Sequence, residues 1–578
     1  MQYKQTLVVL LFLVACGSVQ AQTTTYLPQG ARENYLLERL EIKAGRDSVL
    51  NFSKTKPFSR RQFIPVIEQY YRATLPVTGP PEVPMTLDTV IYDRSELAAR
   101  MTRVDAYNAL LALQKNSEFS SMSFQSKKPF LKSFYRTPAN ALEVATKDFY
   151  LSLNPVFQFN IGTEQSTNQR LFLNTRGIQL RGMIGNKVGF TAYATDNQER
   201  DPLYVREWVA ERRAVPGAGY YKSFKQTGFD YLDARGTITV NAAKYIDISF
   251  GYDKNFIGNG HRSLFLSDFS NNALFLRLNT RVWKLNYQNL FMELVHAHPR
   301  AGGDEYLNKK YAAIHHLDLA VTKWLNVGLF EAIVFGRENR FEFGYLNPVI
   351  FYRSAEQQNG SFDNAMTGLD VKANVARKFQ FYGQLLLDEL KFSELSKKWW
   401  ANKFGFQLGG KYIDAFGVQN LDLQVELNRV RPFTYSHYDS VANYTHDNQP
   451  MAHPLGANFN EVLGNLRYQF APRWLLQART IFYKQGKDIG AESFGSNIFL
   501  PNRLPFRQRD YGYEVGSGAK AGVAYSSFLL SYELRPNLFF ETNAVYRRQD
   551  GYANVMARNT FIFYAGIRWN MHRREFEF

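Results

Sequence analysis

The chain has almost no cysteine: Cys16 is the single one in 578 residues. No internal disulfide can staple the fold, which excludes the small scaffolds that depend on such staples. Long hydrophobic runs are also missing. Past residue 21 no stretch approaches the ~20 apolar residues of a membrane-crossing helix, although 45% of the chain is hydrophobic. Basic residues outnumber acidic ones, for a formal charge of +17, yet no run of Lys and Arg exceeds three. Charge dispersed in this way argues against nucleic acid, which calls for a basic stripe or cluster. It suits acidic surface polymer or lipopolysaccharide instead. No set of potential ligands has the spacing of a known metal site, so no metal, cofactor or catalytic residue is assigned.

What the chain has in abundance is aromatic residues, 47 Phe, 35 Tyr and 7 Trp, together with alternation. Phe149, Leu151, Leu153, Pro155, Phe157, Phe159 and Ile161 share one face of an extended segment, and Tyr150, Ser152, Asn154, Gln158 and Asn160 share the other. Period two of this kind predicts strands. It recurs at 246–253, 274–281, 403–412, 420–428 and 567–570. A soluble sandwich also alternates, so the connections decide. Tight turns are predicted at 185–187, 241–244, 280–284, 323–326, 376–378, 414–417, 471–473 and 535–537. Between them lie longer polar stretches, 196–230, 254–271, 294–312, 336–365, 389–402, 430–461, 484–520 and 549–559. Short turns on one side and long loops on the other, with aromatics enough for two interfacial girdles, is the layout of an outer-membrane barrel. The expected fold is therefore an all-β transmembrane barrel of roughly 18 antiparallel strands over residues 141–578.

Ahead of it, residues 1–21 have the form of a secretion signal: Lys4, an apolar core over Thr6–Val14, and Val19-Gln20-Ala21 before the cut. Leu13-Val14-Ala15-Cys16 also has the form of a lipoprotein box, so either processing route is open. Residues 22–140 carry helical spacing at Gly30–Ala44, after Ser59 through Tyr71 with Pro65 as a kink, and over Ser95–Lys115. The run Pro76–Pro84 separates the second and third helices. A small periplasmic helical module that docks on or plugs the barrel mouth is expected.

Two runs stand out inside the barrel. Gly251–Ser270 passes through Gly258-Asn259-Gly260, a turn needing positive φ, and is expected to fold inward, placing Asp253, Asn255, Arg262 and Asp268 in the lumen. Phe343–Asp363 brings Asn347-Pro348, Tyr352, Arg353 and Glu356 into a second long loop. With Tyr26-Leu27-Pro28 and Arg39-Leu40-Glu41-Ile42, the runs GNGHRSLFLSD (258–268) and GYLNPVIFYRSAE (344–356) resemble the capsule assembly Wzi family, which includes the gliding motility protein RemB. The resemblance implies an 18-stranded barrel, a helical bundle on the periplasmic side, and outer loops that close the pore and hold polysaccharide as a lectin does.

Aromatic faces beside amides and cations suit the C–H faces and hydroxyls of sugars. The polysaccharide-binding candidates are Asp253, Asn255, Arg262, Asp268, Arg353, Trp399, Trp400, Tyr435 and Tyr438, with Phe433, His437, Arg507, Arg509, Tyr511 and Tyr513 nearby in the same loops. The histidine pairs His296/His298 and His315/His316 fall at two strand ends that one loop would bring together, yet they lack a ligand pattern. Lumen-facing Asp247, Arg277, Arg281, Lys403, Lys411, Asp422, Glu426 and Arg479 would either line a channel, as in porins, or pair across a closed lumen. The terminal run 575–578 ends on an aromatic, as signals for the barrel-assembly machinery do, but His572, Arg573 and Arg574 interrupt its alternation. The expected role is non-enzymatic attachment of surface polysaccharide from the outer membrane, with motility machinery and a small-solute pore as the alternatives.

Overall fold

The computed structural model describes residues 23–76, 86–87, 90–91, 94–127, 129–165, 167, 169–297, 306–360 and 363–578. The leader, Cys16, His298 and most of Pro76–Pro84 lie outside the described residues. Eighteen antiparallel strands close into one barrel. They are β1 (Phe149–Glu164), β2 (Leu171–Ile184), β3 (Val188–Arg200), β4 (Gly228–Ala243), β5 (Ile246–Asp253), β6 (Ala273–Val282), β7 (Leu285–Val295), β8 (Lys309–Ala320) and β9 (Leu325–Phe335). The second half comprises β10 (Asn364–Val375), β11 (Phe379–Glu389), β12 (Lys403–Tyr412), β13 (Leu421–Val430), β14 (Phe459–Ala471), β15 (Trp474–Lys487), β16 (Ala519–Arg535), β17 (Leu538–Gln549) and β18 (Arg558–Trp569). β18 pairs with β1, Ile567 opposite Phe159, so no edge is left open. Among the described residues no helix is long and apolar enough to cross a membrane, and this chain crosses with strands.

The alternation has the expected sense. In β1 the aromatic and aliphatic positions point out, where Phe157, Phe159 and Ile161 stay exposed, while Ser152, Asn154 and Gln158 are buried in the lumen. The turn between β2 and β3 has positive φ at both Gly185 and Asn186, the geometry of a two-residue hairpin matched to strand twist.

The N-terminal module comprises α1 (Arg32–Ala44), α2 (Arg60–Ala73), α3 (Arg94–Arg100) and α4 (Arg103–Lys115). The helix expected over Ser95–Lys115 is two helices. Thr102 accepts from the Asp105 backbone N–H at 3.0 Å, the Asp105 carboxylate accepts from the Thr102 N–H at 3.2 Å, and this reciprocal cap starts a new helix. Pro65 sits within α2. The module fills the short-turn mouth and is bolted to the wall by ion pairs. Glu41 meets Lys372 at 2.5 Å, Arg61 meets Asp247 at 2.9 Å, Glu38 meets Lys411 at 2.6 Å, and Arg39 meets Asp422. Lys54 lies between Asp318, at 3.0 Å, and Asp370, with all three side chains nearly inaccessible. Of the lumen charges, Asp247, Lys411 and Asp422 therefore pair with the module rather than line a channel.

Residues 51–58 rise from the module as a finger into the lumen. Thr55-Lys56 forms a two-stranded antiparallel pairing with Phe256-Ile257 of the loop after β5, and Gly258 N–H donates to Lys54 O at 2.8 Å. From the other end that loop descends, as expected, because Leu264, Phe265 and Leu266 need burial. Phe265 stacks on Phe330 with centroids 4.3 Å apart, in a core that also holds Tyr435, Tyr444, Met451 and Phe459. Gly258 has φ +148, and a side chain at Gly260 would stand 2.5 Å from the Glu426 carboxylate.

Two segments depart from expectation. The terminal run 571–578 is not part of the last strand, which ends at Trp569, but turns into the lumen. The cations that break its alternation find acids there: Arg573 meets Glu541 and Arg574 meets Glu199, both at 2.8 Å, while Glu577 meets His261 at 2.7 Å and also Arg479. Phe578 packs on Trp208 at 5.4 Å. The connection 336–360, with its helix α5 (Tyr352–Asn359), folds over the outer face of β7–β9 as a flap. There His315 and Glu331 are opposite one another on the outward face. The flap supplies their partners, Tyr352 OH to His315 and the Arg353 backbone N–H to Glu331 at 3.2 Å. Leaving such groups to hydrocarbon would be costly. Phe343, Val349 and Phe351 remain 78%, 81% and 76% exposed on the flap's own outer side.

The module's buried carboxylates make its docking acid-sensitive. Burial alone would raise Glu33, but Lys115 at 3.2 Å, with Arg60 beyond, pulls it down to about 2. Asp105 opposes its burial through Arg39 and Lys43 and lies well below the usual carboxylate range. A carboxylate depressed in the folded state stabilises above its unfolded pKa, about 4. That contribution is lost as pH falls through the folded value. Protection of α1 and α4 against hydrogen exchange, relative to the intrinsic rate at each pH, is expected to stay high down to about pH 4 and to fall as pH approaches 2; unchanged protection at pH 2 would contradict this assignment.

Candidate functional site

Three loops knit together at the long-loop end. Trp400 N–H donates to Asp510 O and Tyr513 N–H to Lys398 O, both at 3.0 Å, tying 390–402 to 488–518. Phe433 N–H donates to Gly495 O and Asn502 N–H to His437 O, also at 3.0 Å, tying 431–458 to the same loop. Their aromatic floor is Trp400, Phe433, Phe494 and Tyr513, with Phe433 edge-on to Tyr513 at 5.0 Å. Arg431 holds the floor from beneath through the carbonyls of Trp399, Asn402 and Tyr513.

Guanidinium groups lie on the rings. Arg507 stands 4.2 Å from the Trp400 centroid, Arg503 4.7 Å from Tyr438 and Arg509 5.4 Å from Phe494. Tyr438 is 55% exposed, Tyr511 is also exposed, and Trp399 and Trp400 are half-buried. Together they offer flat apolar faces bordered by cations, a surface suited to stacking sugar rings and pairing with acidic substituents.

The sequence candidates thus divide. Trp399, Trp400 and Tyr438 meet on this surface. Tyr435 does not: it is buried, stacked on Tyr444 at 5.8 Å, and its OH donates to Leu264 O at 2.8 Å, so it seals the lumen. Asp253, Asn255, Arg262 and Asp268 lie in the lumen as the inward loop implied. Asn255 accepts from Arg277 at 3.1 Å, Arg262 donates to Glu577 O at 2.7 Å, and Asp253 is 3.9 Å from Arg235. Arg353 stands on the outer flap, paired with Glu356 at 2.6 Å. These five are apart from the outer surface. Arg431, Phe494 and Arg503 are the members that sequence reasoning missed; a Phe or Arg in a long loop carries no signal until the loops are brought together.

His315 and His316 do not converge either. His315 points outward to Tyr352, while His316 points into the lumen, its Nε2 2.6 Å from Asp370.

A family model described as capsule assembly protein Wzi matches residues 218–524, more than half of the chain. Among solved structures, the chain is similar to Wzi of Escherichia coli, described as an outer membrane protein involved in group 1 capsule assembly and a carbohydrate-binding β-barrel. The identity is 13% and the TM-score 0.55, over 95% of this chain and 100% of that one. OprD of Pseudomonas aeruginosa matches at 13% identity and TM-score 0.41, over 72% of this chain and 94% of that one. OccAB2 of Acinetobacter baumannii matches at 11% and 0.41, over 72% and 98%. No curated protein matches the sequence significantly.

Proposed function

The chain belongs to the capsule assembly protein Wzi family, and on that premise we propose that it holds surface polysaccharide at the outer membrane, without catalysis, on the surface built by Trp399, Trp400, Tyr438 and Tyr511. The observation that carries this reading is the convergence of aromatic rings and ring-stacked guanidiniums on a barrel whose lumen is blocked by the inward loop. A blocked lumen favours attachment over solute passage. The short turns face the periplasm in barrels of this type, which puts the module of residues 22–140 on that side and the aromatic surface outside.

The test is a strain carrying Trp399→Ala, Trp400→Ala and Tyr438→Ala together. Each lost ring contact is worth ~0.5–1.5 kcal/mol, so affinity for the polymer is expected to fall by at least about tenfold. Polysaccharide should move from the cell-attached to the released fraction. Polymer retained in full would overturn the reading; polymer retained with colony spreading lost would assign the surface to motility instead.

A further inference from the structure

Between the module and the descending loop the lumen keeps a chamber of about 430 Å³, within the size range of small-ligand sites. Its far end is covered by Gly260, His261 and Asp268, whereas Pro28, Gly30 and Arg473, at the short-turn rim, are exposed. Fifteen Lys and Arg line it against seven Asp and Glu. Many of these cations are committed: Lys411 to Glu38, Arg235 to Asp233, Arg479 to Glu575, Arg573 to Glu541.

Six of the fifteen have no ion-paired carboxylate among the described residues; Arg60 spends its donors on Asn116, Thr25 and the Tyr26 carbonyl and Arg473 is exposed at the rim, which leaves four. Arg467 is only 8% exposed and lies 4.0 Å from the centroid of Tyr35, and its Nε has no hydrogen-bond acceptor. Arg277 lies 4.1 Å from the centroid of Tyr26 and reaches only the neutral Asn255 and Ser249. Lys254 donates to a backbone carbonyl, Asp268 O, at 2.9 Å. Lys56 has its Nζ 4.7 Å over the Phe256 ring. Counter-charges act on both lysines only at a distance, Glu38 and Asp268 on Lys56, and Asp268, Asp233 and Asp253 on Lys254.

Burying a cation without a partner is costly. Four around one cavity amount to a standing demand for negative charge. The lining also offers amide oxygens without donors, on Asn465 and Asn570, and flat rings from Tyr35 and Tyr193. Such a mixture fits hydroxyls and C–H faces besides an anion.

We propose that the chamber binds an acidic saccharide of a few rings, its carboxylate or phosphate groups drawn to the cations Arg467, Arg277, Lys254 and Lys56 spread along its lining, entering from the short-turn end. The site is separate from the aromatic surface outside and does not rest on the polysaccharide reading. Burial, with Lys411 nearby, lowers Lys56 to about 8, and burial, with Arg235 nearby, does the same to Lys254. A bound anion restores both.

The test is calorimetric titration of the full-length protein in detergent with a glucuronate-containing disaccharide, with cellobiose and with inorganic phosphate. Saturable binding of the acidic disaccharide is expected, with none for cellobiose and at least tenfold weaker binding for phosphate. Lys254→Gln with Arg467→Gln should weaken it at least tenfold. Lys56→Gln, which removes no hydrogen bond, should weaken it severalfold with the fold intact by heat-dependent gel migration. The triple variant Trp399→Ala, Trp400→Ala, Tyr438→Ala should bind as the parent does. The inference fails if the acidic disaccharide does not bind, if phosphate or cellobiose binds equally well, or if the outer-surface variant loses binding while Lys56→Gln keeps it.

Discussion

Replacing Lys54 with methionine is expected to unseat the N-terminal module. The ammonium lies between Asp318 and Asp370, and His316 adds its Nε2 to Asp370 at 2.6 Å. A thioether in its place would leave two facing carboxylates buried with only the His316 imidazole and the Asn326 amide to answer them. Breaking a buried pair by removing one partner costs ~3–5 kcal/mol, and here one cation serves two acids. The energy is withdrawn from docking rather than from the wall, whose hydrogen-bonded ladder does not pass through Lys54. The outcome is readable as trypsin cleavage in residues 23–140 while the barrel keeps its heat-dependent gel migration. Adding Asp318→Asn and Asp370→Asn should restore most of the protection, because the excess negative charge is then gone. A module equally protease-resistant in Lys54→Met would refute the role given to this ion triad.

The second large effect is expected at Glu426, the acceptor beneath the inward loop. Its fully buried carboxylate takes the backbone N–H groups of His261 at 2.7 Å and Arg262 at 3.1 Å, the Tyr382 hydroxyl at 2.8 Å, and the Gln407 and Asn428 amides. Glu426→Leu orphans these donors. At ~1–3 kcal/mol for each buried donor left unsatisfied, several kcal/mol are lost even when some find new acceptors. Glu426→Gln keeps one oxygen and is expected to be milder. Arg262 makes the loop a trypsin site that burial protects, so cleavage after Arg262 measures the release. Rapid cutting is expected in Glu426→Leu, partial cutting in Glu426→Gln and none in the parent. Equal resistance of all three would show that apolar burial of Leu264 and Phe265 alone holds the loop down.

Much of this architecture is legible in the sequence because the lumen is packed and the outer wall is not. Ser152, Asn154 and Gln158 alternate with Phe157, Phe159 and Ile161 since each side faces a different solvent, and that contrast is local. The break at Thr102 is local too, though the capping pair Thr102 and Asp105 is easily lost inside a longer helical repeat. The inward course of Gly251–Ser270 was expected from its glycines and polar residues, whereas the burial of Leu264, Phe265 and Leu266 that holds it down shows only in the packing.

The flap was not legible, for its reason is a pair of outward polar residues, His315 and Glu331, on adjacent strands, and nothing in one strand announces its neighbour. Tyr435 and Tyr438 look alike in sequence, three residues apart. Only the packing of the Leu264 carbonyl against one of them separates seal from surface. The tail misled because its last residue is aromatic, whereas Arg573 and Arg574 were the truer guide to its place.

The short pairing of Thr55-Lys56 with Phe256-Ile257 has a mechanical consequence. It joins a segment entering from one mouth to a segment entering from the other by backbone hydrogen bonds, while the lipid-facing staves run round them. A pull on the outer loops is therefore transmitted along the barrel axis, through the finger, to the helices at the opposite mouth, besides passing to the wall through Glu426 and the module's ion pairs. A cable tethered outside would tug on a tie-rod fastened inside.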